Sequence, residues 1–315
     1  MILSIILVVA GLAALVGGGE LLVRGATGLA LKARLSPLVI GLVVVGFGTS
    51  MPELVTSVEA VLAGSPAIAW GNIAGSNIAN SLLILGGAAI VAPIIIPPGR
   101  ALRDPLVGCG AALMLFTLAA TRMADLAIGL AMLAAMFVYL FYCLRSGRRH
   151  AQSADALGIE TEEVPTGWVG PVLLTLLGLA VLIGGGQMLV SGAIDLAELV
   201  GMSETVIGLT VVAIGTSLPE LVTAIVAVRK GESELAFGNV AGSNVYNILF
   251  IGGSTMTLAP GSLPADMLPV DLGVMVLSAF AILGFVVFSR HISRLAGFLL
   301  LTCYAGYLTF LVISA

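Results

Sequence analysis

A polar stretch that occurs twice inside apolar sequence constrains this chain more than any other feature. Gly48-Thr49-Ser50-Met51-Pro52-Glu53-Leu54-Val55-Thr56 returns 167 positions later as Gly215-Thr216-Ser217-Leu218-Pro219-Glu220-Leu221-Val222-Thr223. A second block, Gly71-Asn72-Ile73-Ala74-Gly75-Ser76-Asn77-Ile78-Ala79-Asn80, returns at the same offset as Gly238-Asn239-Val240-Ala241-Gly242-Ser243-Asn244-Val245-Tyr246-Asn247. Residues 17–23 align with 184–190, and 39–42 with 206–209, again 167 apart. Small residues repeat by chance in apolar helices, but a constant offset across several blocks does not. The chain is an internal duplication.

The surroundings of the motif are membrane-like. Hydrophobic residues make up 59% of the chain and charged residues 10%, against about 25% charged in a soluble domain; mean hydropathy is +1.16. This excludes a large soluble core and predicts an all-α polytopic membrane protein. Ten runs approach the ~20 apolar residues that a transmembrane helix needs. They lie near 2–23, 36–63, 67–92, 105–121, 125–144, 168–190, 204–228, 234–259, 268–289 and 295–314. The first lacks a basic leader and a small-residue cleavage site, so it reads as a retained span. Cys109, Cys143 and Cys303 are scattered through apolar runs without a C-x-x-C spacing, which argues against a disulfide framework or a zinc site.

The one clearly hydrophilic break, Arg145 to Thr166, divides the chain into a first five-helix repeat (1–146, motif 46–80), a linker (147–166) and a second repeat (167–315, motif 213–247). With the linker cytoplasmic, alternating spans put twelve of the thirteen basic residues on that side and only Arg122 opposite. The positive-inside rule then sets both termini outside the cytoplasm. An odd number of spans per half inserts the second half upside down, giving two inverted-topology repeats, a plan common among secondary transporters.

The chemistry sits at mid-span. A charged side chain at the bilayer centre costs roughly 2.5–3.5 kcal/mol on insertion scales, so Glu53 and Glu220 need protons, a basic partner or a cation. No Lys or Arg shares their depth, and His150 and His291 lie on the cytoplasmic side, which leaves protons or cations. Thr49 and Ser50 precede Glu53 by four and three residues, as Thr216 and Ser217 precede Glu220, so each trio shares a helix face. Pro52 and Pro219 lack an N–H and free the carbonyls of Gly48 and Gly215, breaking the helices at the midplane. Hydroxyl, carboxylate and carbonyl oxygens suit a hard cation such as Ca²⁺; zinc or copper would call for His or Cys. Ser76 with Asn80 and Ser243 with Asn247 add oxygens at i, i+4, although such pairs also glue membrane helices together. Glu59, two turns beyond Glu53, could line an entrance, while Glu20 aligns with an uncharged Gln187 and reads as a helix-end residue.

At these residues the chain resembles the calcium/cation antiporter superfamily, in particular its prokaryotic Na⁺/Ca²⁺ exchangers. The match lies in both copies of G-T-S-x-P-E and G-N-x-x-G-S-N, with a 5+5 layout over the full chain. The resemblance implies ion ligands at Thr49, Ser50, Glu53, Ser76, Asn80, Thr216, Ser217, Glu220, Ser243 and Asn247, joined by the carbonyls of Gly46 and Ala213. It implies a core of spans 2, 3, 7 and 8, with spans 1 and 6 sliding across it. Some microbial exchangers carry Asp where this chain has Asn247. The proton-coupled branch typically has an acidic residue near the positions of Ser76 and Ser243, and its absence here favours Na⁺.

The expected activity is therefore Ca²⁺ export in exchange for Na⁺ by alternating access, without a covalent step, cofactor or nucleic acid. H⁺/Ca²⁺ or K⁺-involving exchange is the nearest alternative, and a cation channel is the alternative from another class. An intramembrane hydrolase has no Ser–His or paired-Asp arrangement to support it. The transported ions and membrane lipids are the expected partners, with no obligatory protein partner. The expected location is a prokaryotic plasma (inner) membrane.

Overall fold

Helices account for nearly everything that the computed structural model describes, which is residues 2–96, 101–156, 167–199, 213–264, 267–268 and 270–314. They are α1 (Ile2–Ala33), α2 (Pro37–Thr49), α3 (Met51–Leu62), α4 (Pro66–Val91), α5 (Arg103–Thr121), α6 (Leu126–Ala156) and α7 (Val169–Leu199). The second half continues with α8 (Ala213–Thr216), α9 (Leu218–Arg229), α10 (233–258), α11 (Val270–Ser289) and α12 (Arg294–Ser314). Among the described residues seven helices are long and apolar enough to cross a membrane, and the α2–α3 pair, bent by 41°, makes an eighth. The expected span 204–228 starts outside the described residues. The expected fifth span, 125–144, matches the apolar stretch Leu126–Ser146, and α6 itself runs on to Ala156. Arg, Ala and Gln there are good helix formers in water, so the helix outlasts its apolar stretch.

Burial separates a core from a periphery. In its most apolar stretch α4 is 78% buried, against 28% for α1 and α7 and 17% for α12. In α10 every residue from 235 to 249 is buried. The crossing of α2 on α10 uses glycine from both sides: a Cβ on Gly238 would meet the Leu38 carbonyl, and one on Gly41 the Leu235 carbonyl. The duplication is visible in local geometry too. Gly64 and Gly231, 167 apart, make the same left-handed turn (φ +78° and +81°) after α3 and α9. A two-residue antiparallel ladder, β1 (Ile94–Ile95) on β2 (His291–Ile292), ties the end of α4 to the end of α11. Gly261 donating to the Ala124 carbonyl is its counterpart in the other half.

The first helices of the two halves pack on each other along their length. Gly11, Gly18 and Gly25 recur every seven residues on α1, and their equivalents Gly178, Gly185 and Gly192 do so on α7. The pairing is antiparallel. A Cβ on Gly11 would stand 2.7 Å from the Gly185 carbonyl oxygen, one on Gly18 2.7 Å from the Leu182 nitrogen, and one on Gly192 2.6 Å from the Ser4 carbonyl oxygen. Side chains at these positions would force the backbones apart, so the sequence permits a contact that only small residues allow.

Glu20, read from sequence as a helix-end residue, instead ties α1 to the second half. Lys230 reaches it at 2.6 Å and Arg24 lies at 3.7 Å. Both partners are solvent-accessible, so the contact is a weak one. Lys230→Ala is expected to lower stability by no more than about 1 kcal/mol, checked by thermal melts at low and high salt. A loss of several kcal/mol would show the pair to be structural.

Candidate functional site

Both signature motifs form a helix break at the serine. Ser50 adopts φ −83°, ψ 5° between α2 and α3, and Ser217 adopts φ −91°, ψ 5° between α8 and α9. In each case proline opens the new helix and the glutamate falls in its first turn. A proline is tolerated there because the first-turn N–H has no intrahelical partner. The partial positive charge of the helix start lies beside the carboxylate. Wide π-helical turns follow at Asn80–Ile84 and Tyr246–Gly252, so Asn80 and Asn247 occupy equivalent irregular backbone. A third such turn, Gly41–Gly46, leads into the first motif.

These breaks bring the two halves together. Ser50 Oγ donates to Glu220 Oε1 at 3.3 Å. The single Thr49 hydroxyl proton is shared between the Val45 carbonyl (3.0 Å) and Asn239 Oδ1 of the other half (3.2 Å). The Gly46 carbonyl accepts from Ser50 N (3.1 Å) and from Ser243 Oγ (3.4 Å). The expected ligand set thus has Gly46, Ser50, Glu220 and Ser243 linked directly across the halves. Glu53 and Glu220 are 2% and 1% exposed and lie within electrostatic reach of each other. Ser76, Asn80, Ser217 and Asn247 are buried, Thr216 is half-buried, and Ala213 begins α8. Glu59 stands exposed on α3.

The decisive property is a set of four buried acceptors without donors, which outnumber the unpartnered donors nearby, Asn239 Nδ2 and the Ser217 hydroxyl. Glu53 Oε2, Glu220 Oε2, Asn80 Oδ1 and Asn247 Oδ1 are buried with no protein donor. The four are two equivalent pairs, one from each half. Among the described residues no basic side chain pairs with either glutamate. Each buried acceptor left without a partner costs about 1–3 kcal/mol, and a bare charge more. An occupant that satisfies all four must be cationic or carry hydrogens. Asymmetric hydration aside, the charge of two carboxylates equals that of one divalent cation.

Several supporting residues escaped sequence reasoning. Asn72 Nδ2 donates to the Glu53 carbonyl (3.1 Å) and to Ser57 Oγ (3.0 Å), holding the start of α3 on α4. Asn239, its equivalent, receives Thr49. The signal was available, since both asparagines follow the glycine that opens the duplicated block.

This architecture has solved counterparts. A structure of the sodium-calcium exchanger NCX_Mj soaked with zero Na⁺ and Ca²⁺ superposes with a TM-score of 0.85 at 29% identity, covering 98% of this chain and 99% of that one. The sodium/calcium exchanger MaX1 of Methanosarcina acetivorans is 32% identical, with 98% of both chains covered. The inner membrane protein YrbG of Escherichia coli is 36% identical over 88% of this chain and 86% of its own. The profile of the sodium/calcium exchanger protein family matches residues 3–145 and 170–313, both halves of the duplication. The chain belongs to the sodium/calcium exchanger family. As a member this exchanger is an integral membrane protein for cation/Ca²⁺ antiport, and its relatives are transporters rather than enzymes. Cys109 and Cys143 are free and buried, and Cys303 is free and exposed.

Proposed function

We propose that this exchanger exports Ca²⁺ in exchange for Na⁺, the two ions competing for one site centred on Glu53 and Glu220. The observation that carries this reading is the set of four orphaned acceptor oxygens in two equivalent pairs. Ca²⁺ takes six to eight oxygens. The two carboxylates, the amide oxygens of Asn80 and Asn247 and the hydroxyls of Thr49, Ser50, Ser76, Thr216, Ser217 and Ser243 supply a hard, all-oxygen environment, with the Gly46 and Ala213 carbonyls beside them. Coupling follows from exclusion. The carboxylates must be neutralised by one kind of cargo or the other before the site can close, so an empty site does not cross.

Ten spans in two inverted halves accommodate the described helices, with α2–α3 and α8–α9 each counted as one broken span. The antiparallel run of α1 against α7, which are equivalent helices, supports that inversion. On this plan α1 and α7 move as a pair across a core of α2, α3, α4, α8, α9 and α10. Both termini then face away from the cytoplasm of a prokaryotic cell.

The test is Ca²⁺ flux into proteoliposomes with one gradient imposed at a time. Driven uptake is expected with a Na⁺ gradient at clamped pH, and none with a pH gradient alone. Uptake that needs only the pH gradient would assign proton coupling, a requirement for K⁺ would assign co-transport, and flux without any counter-ion would assign a channel.

A further inference from the structure

A second polar cluster lies behind the ion site. Asp104, in the first turn of α5, is fully buried. Its Oδ1 receives Arg103 Nε and Tyr139 Oη (2.9 Å), while its Oδ2 receives no protein donor. Asn244 gives its amide to Ser81 Oγ at 3.0 Å, and its buried Oδ1 is likewise without a donor. Asn77 spends its amide on the Ile73 carbonyl at 2.7 Å. Asp104, Asn244, Ser81 and Asn77 line one cavity of about 10 Å³, room for about one water molecule.

The cavity stands where the two halves meet. Asn77 and Asn244 are repeat equivalents, and so are three further pairs in its wall: Ser81 with Ile248, Gly108 with Met275, and Ala112 with Ala279. The smaller or more polar member of the Ser81–Ile248 and Gly108–Met275 pairs comes from the first half, so the space opens toward Asp104. The equivalent of Asp104, Asp271, has Tyr307 Oη at 2.8 Å, and its oxygens are not among the buried orphans.

The two orphaned atoms are both acceptors, so the occupant must present positive ends to them. A metal ion is disfavoured, because Arg103 already neutralises Asp104 and the start of α5 adds partial positive charge. A neutral donor with two hydrogens fits both the charge and the volume. We propose that this chamber binds a single water molecule, which donates to Asp104 Oδ2 and Asn244 Oδ1 and braces α10 against α5. Asn244 follows Ser243, whose hydroxyl sits on the Gly46 carbonyl, so the brace positions one wall of the ion site.

Gly108 provides the test. It lines the chamber, and among the described residues a Cβ there would have Val245 Cγ2, at 4.0 Å, as its nearest neighbour. Helix propensity alone makes alanine better than glycine at such a position, so Gly108→Ala should raise the melting temperature. If the chamber holds water, the methyl group displaces it, strands two acceptors, and lowers the melting temperature by about 5 °C. Gly108→Ser fills the same space but carries a hydroxyl donor, and is expected to recover at least half of that loss. A rise with Gly108→Ala, or equal melting of the two variants, overturns the proposal. A structure of the wild-type exchanger soaked in Tl⁺ separates water from a cation: an anomalous peak in the chamber would overturn it as well.

Discussion

Glu53→Gln is expected to abolish Na⁺-coupled Ca²⁺ flux and to leave a folded protein, and Glu220→Gln is expected to do the same. Each substitution keeps the shape of the side chain and removes one of the two negative charges at the site. At about 4 Å and an effective dielectric constant near 20, one such charge is worth about 4 kcal/mol to a unit positive charge. That corresponds to roughly three orders of magnitude in affinity for the cargo. Folding should not suffer comparably, because the amide removes a buried charge that needs compensation and retains an oxygen, which at position 220 still accepts from Ser50 Oγ. Ca²⁺ uptake in proteoliposomes and the thermal midpoint of the purified protein read the two effects separately. Full transport by either variant would remove the carboxylates from the mechanism, and failure of both variants to fold would make them structural.

The second large effect is expected at the α1–α7 contact. Gly18→Leu places a Cβ 2.7 Å from the Leu182 nitrogen and more carbon beyond it, where backbone already lies. Overpacking commonly costs 1–3 kcal/mol, and more when backbone must move. Here relief requires the two helices to separate along several turns, so a loss of about 3 kcal/mol or of all monodisperse protein is expected. Leu12→Ala on the same helix is the control, since Leu12 is 55% exposed toward the membrane side and should melt nearly as the wild type does. A Gly18→Leu protein that melts with the wild type would mean that the close approach is dispensable.

The parts of this molecule that were legible in sequence are those that chemistry makes expensive. A glutamate at mid-span beside proline and hydroxyls cannot be ignored, and its second copy identified the partner, so Glu53 and Glu220 were found together. The kink at Ser50 followed from Pro52, but the π-helical turns at Asn80 and Asn247 did not, because they arise from how α4 and α10 pack and have no residue signature. Sharing a face also proved to be only half of the matter for Thr49 and Ser50. Both reach across to the other half, which spacing along one helix cannot reveal. The glycines at 11, 18 and 25 were in plain view at a seven-residue interval, yet the chain has 40 glycines, and only the antiparallel partner shows which ones matter. Asp104 escaped because it follows Arg103, and such a pair at a helix start looks like ordinary solvated charge until burial is known.

The charges around Glu20 have a meaning that goes beyond their modest strength. In the other copy, the positions of Glu20, Arg24 and Lys230 are held by Gln187, Ser191 and Ala63. An exchanger assembled from two identical halves would have two facing states of equal energy, a true degeneracy. On the alternating-access plan proposed above, this cluster gives one orientation an electrostatic contact that its mirror lacks. Even 1 kcal/mol, the upper range for an exposed pair, skews the populations about five-fold, and salt erodes that skew because the pair is accessible to ions. On that plan the resting direction is biased from the wet rim, by residues outside the proposed ligand set.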